Sequence, residues 1–197
     1  MVHHHRRTTV PSRNSGVLAT RGGSALAGAF GVLLIASGAL ARDGPWEPLG
    51  SGLTGTGTSF GALATLTDGT VIAGGTFTSI GGVAANNIAR WNGSSWQPLG
   101  SGVNSSVSAL LALPDGSLIV GGGFTTAGGI AASRIARWDG SGWQALGPGL
   151  NDAVSVLTRL SDGTLVAGGT FSWSGGTPIN RIAHWNGDAW KAFGTGL

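Results

Sequence analysis

His184 is the only histidine beyond residue 41, and so the only side chain there whose ordinary titration range spans neutral pH. A Ser-His-Asp triad would depend on it, because a serine hydroxyl attacks only when a base takes its proton. The chain repeats itself, however, and Arg90 and Arg137 hold the corresponding position in the other two copies. A catalytic base should not align with arginines. Glycoside hydrolysis asks for two carboxyls flanking a bond, yet Glu47 is the only glutamate, and Asp43, Asp68, Asp115, Asp139 and Asp162 each precede a glycine at a turn. A tyrosine nucleophile is excluded because the 197 residues contain no Tyr. Zinc and copper sites are built from Cys and His clusters, and there is no Cys. Each Asp-Gly turn alone offers too few oxygens for a calcium ion that takes six to eight, which leaves calcium binding open but unsupported. The glycine-rich stretches are not followed by the lysine of a phosphate loop. The sequence therefore predicts a protein that is not an enzyme, with no cofactor and no metal.

Residues that break the repeat are the better candidates for a site, since packing does not explain them. Trp173 replaces Ser79 and Thr126, Arg181 and Arg134 stand where the first copy has Asn87, and His184 replaces arginine. Trp173, Arg181 and His184 form the candidate binding patch, with Trp173 as a surface on which a sugar ring could stack. The competing reading is a polar capping unit: the charged residues number two, four and six in units 54–103, 104–150 and 151–197. The other tryptophans recur at identical places, as packing residues must.

The elements that would position these residues follow from that repetition. Trp46, Trp96, Trp143 and Trp190 open related segments at spacings of 50, 47 and 47. Within each unit Phe60/Val107/Val154, Asp68/Asp115/Asp162, Phe77/Phe124/Phe171 and Trp91/Trp138/Trp185 keep steps of 8, 9 and 14 residues. Four short strands are predicted per unit. The first spans 60–66, 107–113 or 154–160 and ends in Asp-Gly, a hairpin signal. The second spans 71–77, 118–124 or 165–171; it is nearly all apolar and carries a Gly-Gly pair, which suits a strand buried on both faces beside a close backbone neighbour. The third spans 88–91, 135–138 or 182–185 and ends in a second tight turn. The fourth starts at the following Trp, and a Gly-Gly loop joins the second strand to the third.

Four antiparallel strands per 47–50 residues describe a β-propeller blade. Gly74-Gly75, Gly121-Gly122 and Gly168-Gly169 before Phe, with the Trp-Asn/Asp-Gly-x-x-Trp elements at 91–96, 138–143 and 185–190, resemble Kelch-like repeats of the galactose-oxidase-central-domain type in secreted and cell-surface proteins. Phe stands where the Kelch pattern has Tyr, and the Trp spacing differs, so the likeness is to the wider group. It implies a propeller-like, all-β array of about three blades over residues 42–197. A galactose-oxidase radical copper site is not implied, for want of Tyr and Cys. Three units fall short of the four to eight blades of a propeller. The chain is then a piece of a longer array, or copies self-associate to complete a ring, or the fold is a β-trefoil.

Residues 1–41 read as a signal peptide. Arg6, Arg7, Arg13 and Arg21 precede an apolar run from Ala25, which closes on Ala39-Leu40-Ala41. A retained anchor is the rival, although 17 residues is at the short limit for a span. The leader predicts export to the periplasm or the exterior, with no membrane span after cleavage. Beyond it stand seven basic and eight acidic residues, which leaves no basic face for nucleic acid. The expected function is a secreted β-propeller repeat module that binds or scaffolds at the cell surface, its partner a protein or a glycan; a lectin-like module and a truncated fragment are the alternatives.

Overall fold

The computed structural model describes residues 34–36 and 46–194. Each unit forms one four-stranded antiparallel meander. The first comprises Ser59–Thr65, Val71–Thr76, Ile88–Trp91 and Trp96–Pro98; the second Val107–Ala112, Leu118–Gly122, Ile135–Trp138 and Trp143–Ala145; the third Val154–Arg159, Leu165–Gly169, Ile182–Trp185 and Trp190–Ala192. Four antiparallel strands in chain order in one sheet, repeated three times, make blades and not a β-trefoil. The leader assigned to residues 1–41 lies outside the described residues apart from Leu34–Ala36, which pair with Trp46–Pro48.

The turns follow from their residues. Leu66 N–H donates to the Thr70 carbonyl across a three-residue loop, and Gly69 supplies its left-handed position at φ 85°. The Asp-Gly signal thus closes a longer turn than the two-residue hairpin it suggests. At the other turn Asn92 and Ser95 close a two-residue loop with Gly93 first and at positive φ, a type II′ arrangement.

The glycine pair of the second strand has two separate duties. A Cβ on Gly75, Gly122 or Gly169 would overlap the carbonyl oxygen of Ser59, Ser106 or Ala153. That carbonyl is brought close by the register shift in each first strand, between Phe60 and Ala62, Val107 and Ala109, or Val154 and Val156. The preceding glycines face the neighbouring blade: Val107 presses on Gly74, and Val154 on Gly121. In units one and two, one glycine of the pair accommodates the bulge and the other admits the next blade.

Successive blades share cores. Ile72 and Ile88 of unit one pack with Val107, Leu118, Phe124 and Trp138 of unit two. Ile119 and Ile135 of unit two pack in the same way with Val154, Leu165, Phe171 and Trp190 of unit three. The corresponding cluster on the far side of unit one contains Leu53, Phe77, Ile80 and Trp96, with Leu49 packed against it. The paired tryptophans 91/96, 138/143 and 185/190 have ring centroids 5.6, 5.4 and 5.5 Å apart at tilted angles. Offset aromatic pairs of this kind contribute about 1 kcal/mol beyond the area they bury. Their recurrence at one place in each blade gives them a packing role.

Candidate functional site

The predicted Gly-Gly loop between second and third strands is itself a small hairpin: Ser79–Ile80 with Val83–Ala84, Thr126–Ala127 with Ile130–Ala131, and Trp173–Ser174 with Thr177–Pro178. Each hairpin is fastened to the segment that enters its own unit. Leu53–Thr54 pairs with Ser79–Ile80, and Val103 bridges Ala127. In unit two Asn104 Oδ1 accepts the N–H groups of Thr125 and Thr126 at 2.8 and 2.9 Å, while its Nδ2 donates to the Thr125 hydroxyl. Asn151 repeats the arrangement in unit three, accepting from Ser172 and Trp173 at 2.9 Å each. These asparagines were not singled out from the sequence, although their 47-residue spacing is in it.

Between the hairpin ends of units one and two lies an open cleft of about 470 Å³, with Thr78, Asn86, Asn87, Ser101, Asn104 and Thr126 in its walls. No charged side chain lines it. Asn87 adopts φ 63°, a left-handed conformation that asparagine tolerates well. Its Oδ1 accepts from Phe77 N–H at 3.1 Å, and its Nδ2 donates to the Val103 carbonyl at 2.7 Å. Asn86 Nδ2 donates to the Ser101 carbonyl at 3.0 Å. The walls are therefore held by their own bonds before any ligand arrives. One repeat further on, the positions of Asn87, Ser101 and Thr126 carry Arg134, Pro148 and Trp173.

The three residues singled out from the sequence are spread over unit three. Trp173 lies on the exposed face of the small hairpin, where its backbone pairs with Pro178. Arg181, at φ 67°, opens the third strand; its N–H donates to Phe171 and its carbonyl accepts from Gly169. Arg134 takes the same conformation, and its guanidinium donates to the Gly123 carbonyl. His184 sits three residues beyond Arg181, paired with Val166 and Lys191 across the sheet, its ring edge-on to Phe193 at 5.8 Å. Trp173 and Arg181 thus belong to the cleft end of the blade, whereas His184 belongs to its face.

The aspartates are turn formers. Asp68 and Asp162 accept the N–H two residues on, Asp115 accepts both N–H and hydroxyl of Ser117, and Asp139 accepts from Ser141 and Gly142. These bonds favour the charged carboxylate and hold all four groups below their ordinary value. The main cause is the Thr70 N–H for Asp68, the Ser117 hydroxyl for Asp115, the Ser141 N–H for Asp139 and the Thr164 N–H for Asp162. A carboxyl depressed in the folded state stabilises the fold fully above its unfolded value of about 3.9, and that contribution is lost as pH falls through the folded value. Thermal unfolding followed by circular dichroism should give a melting temperature that is flat from about pH 7 to about pH 5 and falls below about pH 4. A melting temperature that rose on acidification would contradict this role. Among the described residues no group of three His, Asp or Glu side chains is placed to hold a metal ion.

A family described as a β-propeller domain of unknown function, DUF5122, matches residues 66–94, 113–142 and 160–183. Each matched segment runs from the first turn of a blade through its second strand into or past its third, so the match follows the structural repeat. The chain is a β-propeller repeat protein. No curated protein and no solved structure matches this propeller chain.

Proposed function

We propose that this propeller domain is a non-catalytic binding module, exported from the cell, that holds a neutral, hydroxyl-rich ligand such as a glycan in the cleft between units one and two. The cleft itself carries the reading: about 470 Å³, within the range of about 300–1,000 Å³ usual for ligand sites. The Asn87 and Asn104 amides are engaged in holding the walls, while Asn86 Oδ1 and the hydroxyls of Ser101 and Thr126 supply acceptors and donors that match sugar hydroxyls. Pre-formed walls lower the ordering cost of binding. The absence of catalysis is supported by the occupation of the repeat aspartates in turns and by the place of His184 against Phe193. Export is supported by the leader, and a cell-surface setting by the Kelch-like character of the repeats.

The half-exposed indole of Trp173 favours a second reading, in which a lectin-like site lies on unit three with Trp173 as its stacking platform. Calorimetric titration of the protein with a panel of soluble oligosaccharides tests both. Thr126→Trp copies into unit two the residue that unit three already carries, so it should fold normally, fill the cleft and weaken binding at least about tenfold. If Trp173→Ala abolishes binding and Thr126→Trp does not, the site is on unit three. Turnover of a bound oligosaccharide would overturn the non-catalytic reading, and no binding across the panel would overturn the glycan reading.

A further inference from the structure

Four of the six large hydrophobic residues that stand exposed among the described residues lie on the two terminal blade faces: Leu63 at 52%, and Val156, Leu160 and Phe193 at 63%, 38% and 45%. Every one has repeat equivalents packed inside the chain. Leu110 and Leu157 correspond to Leu63, Leu66 and Leu113 to Leu160, and Leu99 and Leu146 to Phe193; all six lie in or against the cores between blades. Val156 corresponds to Ala109, which is buried in the second of those cores. The outer face of unit one is thus the inserting half of a blade interface, and the outer face of unit three, with Gly168, is the receiving half.

We propose that these faces are joined by a second copy of this chain, head to tail, to make a ring of six blades. Unit three of each copy packs on unit one of the other. The occupant follows from continuity with the two interfaces inside the chain, each of which already joins blades of this repeat. The three described blades are too few to close a propeller; two copies of them supply six, within the four to eight that close, and three copies supply nine, which exceed it. Inside the chain, Val107 and Leu110 pack on Gly74, and Val154 and Leu157 on Gly121. At the junction Phe60 and Leu63 take those parts over Gly168. There the space is covered by Val156 of the same blade, whose Cγ2 would be 2.8 Å from a Cβ on Gly168. Val156 is the most exposed of the four residues and turns aside to admit the partner.

Each junction brings two fourth strands to one place, Trp190–Ala192 from one copy and Trp46–Pro48 from the other. Trp190–Ala192 is held in a four-stranded sheet, whereas among the described residues Trp46–Pro48 pairs with Leu34–Ala36 alone. The second therefore gives way.

Sedimentation velocity on the full chain tests the assembly. The expected species has twice the 19.5 kDa chain mass. Leu63→Lys and Val156→Asp alter exposed side chains, so each variant should keep the wild-type circular dichroism spectrum while running as a monomer. Mixing the two should restore a dimer, because a head-to-tail pair then contains one unaltered junction. A monomeric wild-type chain, an open-ended series of polymers, variants that still dimerise, or a mixture that remains monomeric would each overturn the proposal.

Discussion

Gly122→Ala is expected to cost on the order of 4 kcal/mol or more, enough to leave little folded protein when a domain has about 5–15 kcal/mol to lose. The added methyl would overlap the Ser106 carbonyl oxygen and would also stand 3.0 Å from Val107 Cα. Neither is a side-chain end that can turn away. Both belong to the bulged start of the first strand, where Val107 pairs with Gly122 and the register then shifts to Ala109 opposite Gly121. Relief would require undoing the bulge, which aims Val107 into the core shared with unit one. Urea unfolding followed by tryptophan fluorescence measures the loss directly. A cost below about 1 kcal/mol, the ordinary effect of a point substitution, would show that the sheet can shift there without penalty.

Gly121→Ala and Gly168→Ala separate this backbone constraint from contact between blades. A Cβ on Gly121 would be 2.5 Å from Val154 Cγ1, and Val154 is fully buried in the next blade. Overpacking of this kind costs about 1–3 kcal/mol. At Gly168 the neighbour is the exposed Val156 side chain of its own blade, which can rotate. Gly168→Ala should therefore be the milder change in the separated chain.

The Gly-Gly pair was legible in the sequence as a mark of close backbone approach, because two adjacent glycines weaken an otherwise apolar strand and suit it only where a side chain would not fit. Which neighbour each glycine admits depends on the first-strand bulge and on the next blade, and neither is local to the pair. The strand starts at Trp96, Trp143 and Trp190 were legible because the turns before them carry their own signature residues. The small hairpins were not: Ser79–Ile80 and Thr126–Ala127 are two-residue pairings, stabilised by Thr54 and Asn104 more than twenty positions away. For the same reason the cleft was missed. Asn86, Asn87 and Asn104 are ordinary polar residues until the hairpins of two units face each other. Trp173, Arg181 and His184 were noticed because they depart from the repeat, a signal that finds irregularity and not proximity.

Trp96→Ala is expected to cost about 3–5 kcal/mol, the usual loss for a large aromatic removed from a core. The ring is buried against Gly81 and stands 5.6 Å from Trp91, and its Nε1 donates to the Leu49 carbonyl at 3.1 Å. Trp143 repeats the bond to Leu99, also at 3.1 Å. Trp190 is equally buried, yet its Nε1 has no partner among the described residues. Here Pro148 replaces the serine of the other units, and Gly175 packs on that proline where Gly81 and Gly128 pack on tryptophan. Phenylalanine at these sites isolates the polar part of the interaction. Trp96→Phe loses ring volume and also leaves the Leu49 carbonyl without its donor, whereas Trp190→Phe loses volume but removes a buried donor that was unsatisfied. An unmade buried hydrogen bond costs about 1–3 kcal/mol, so Trp190→Phe should be at least about 1 kcal/mol less damaging than Trp96→Phe in urea unfolding. Equal losses would mean that the indole N–H contributes nothing to the join between blades, and that these tryptophans hold the array by ring packing alone.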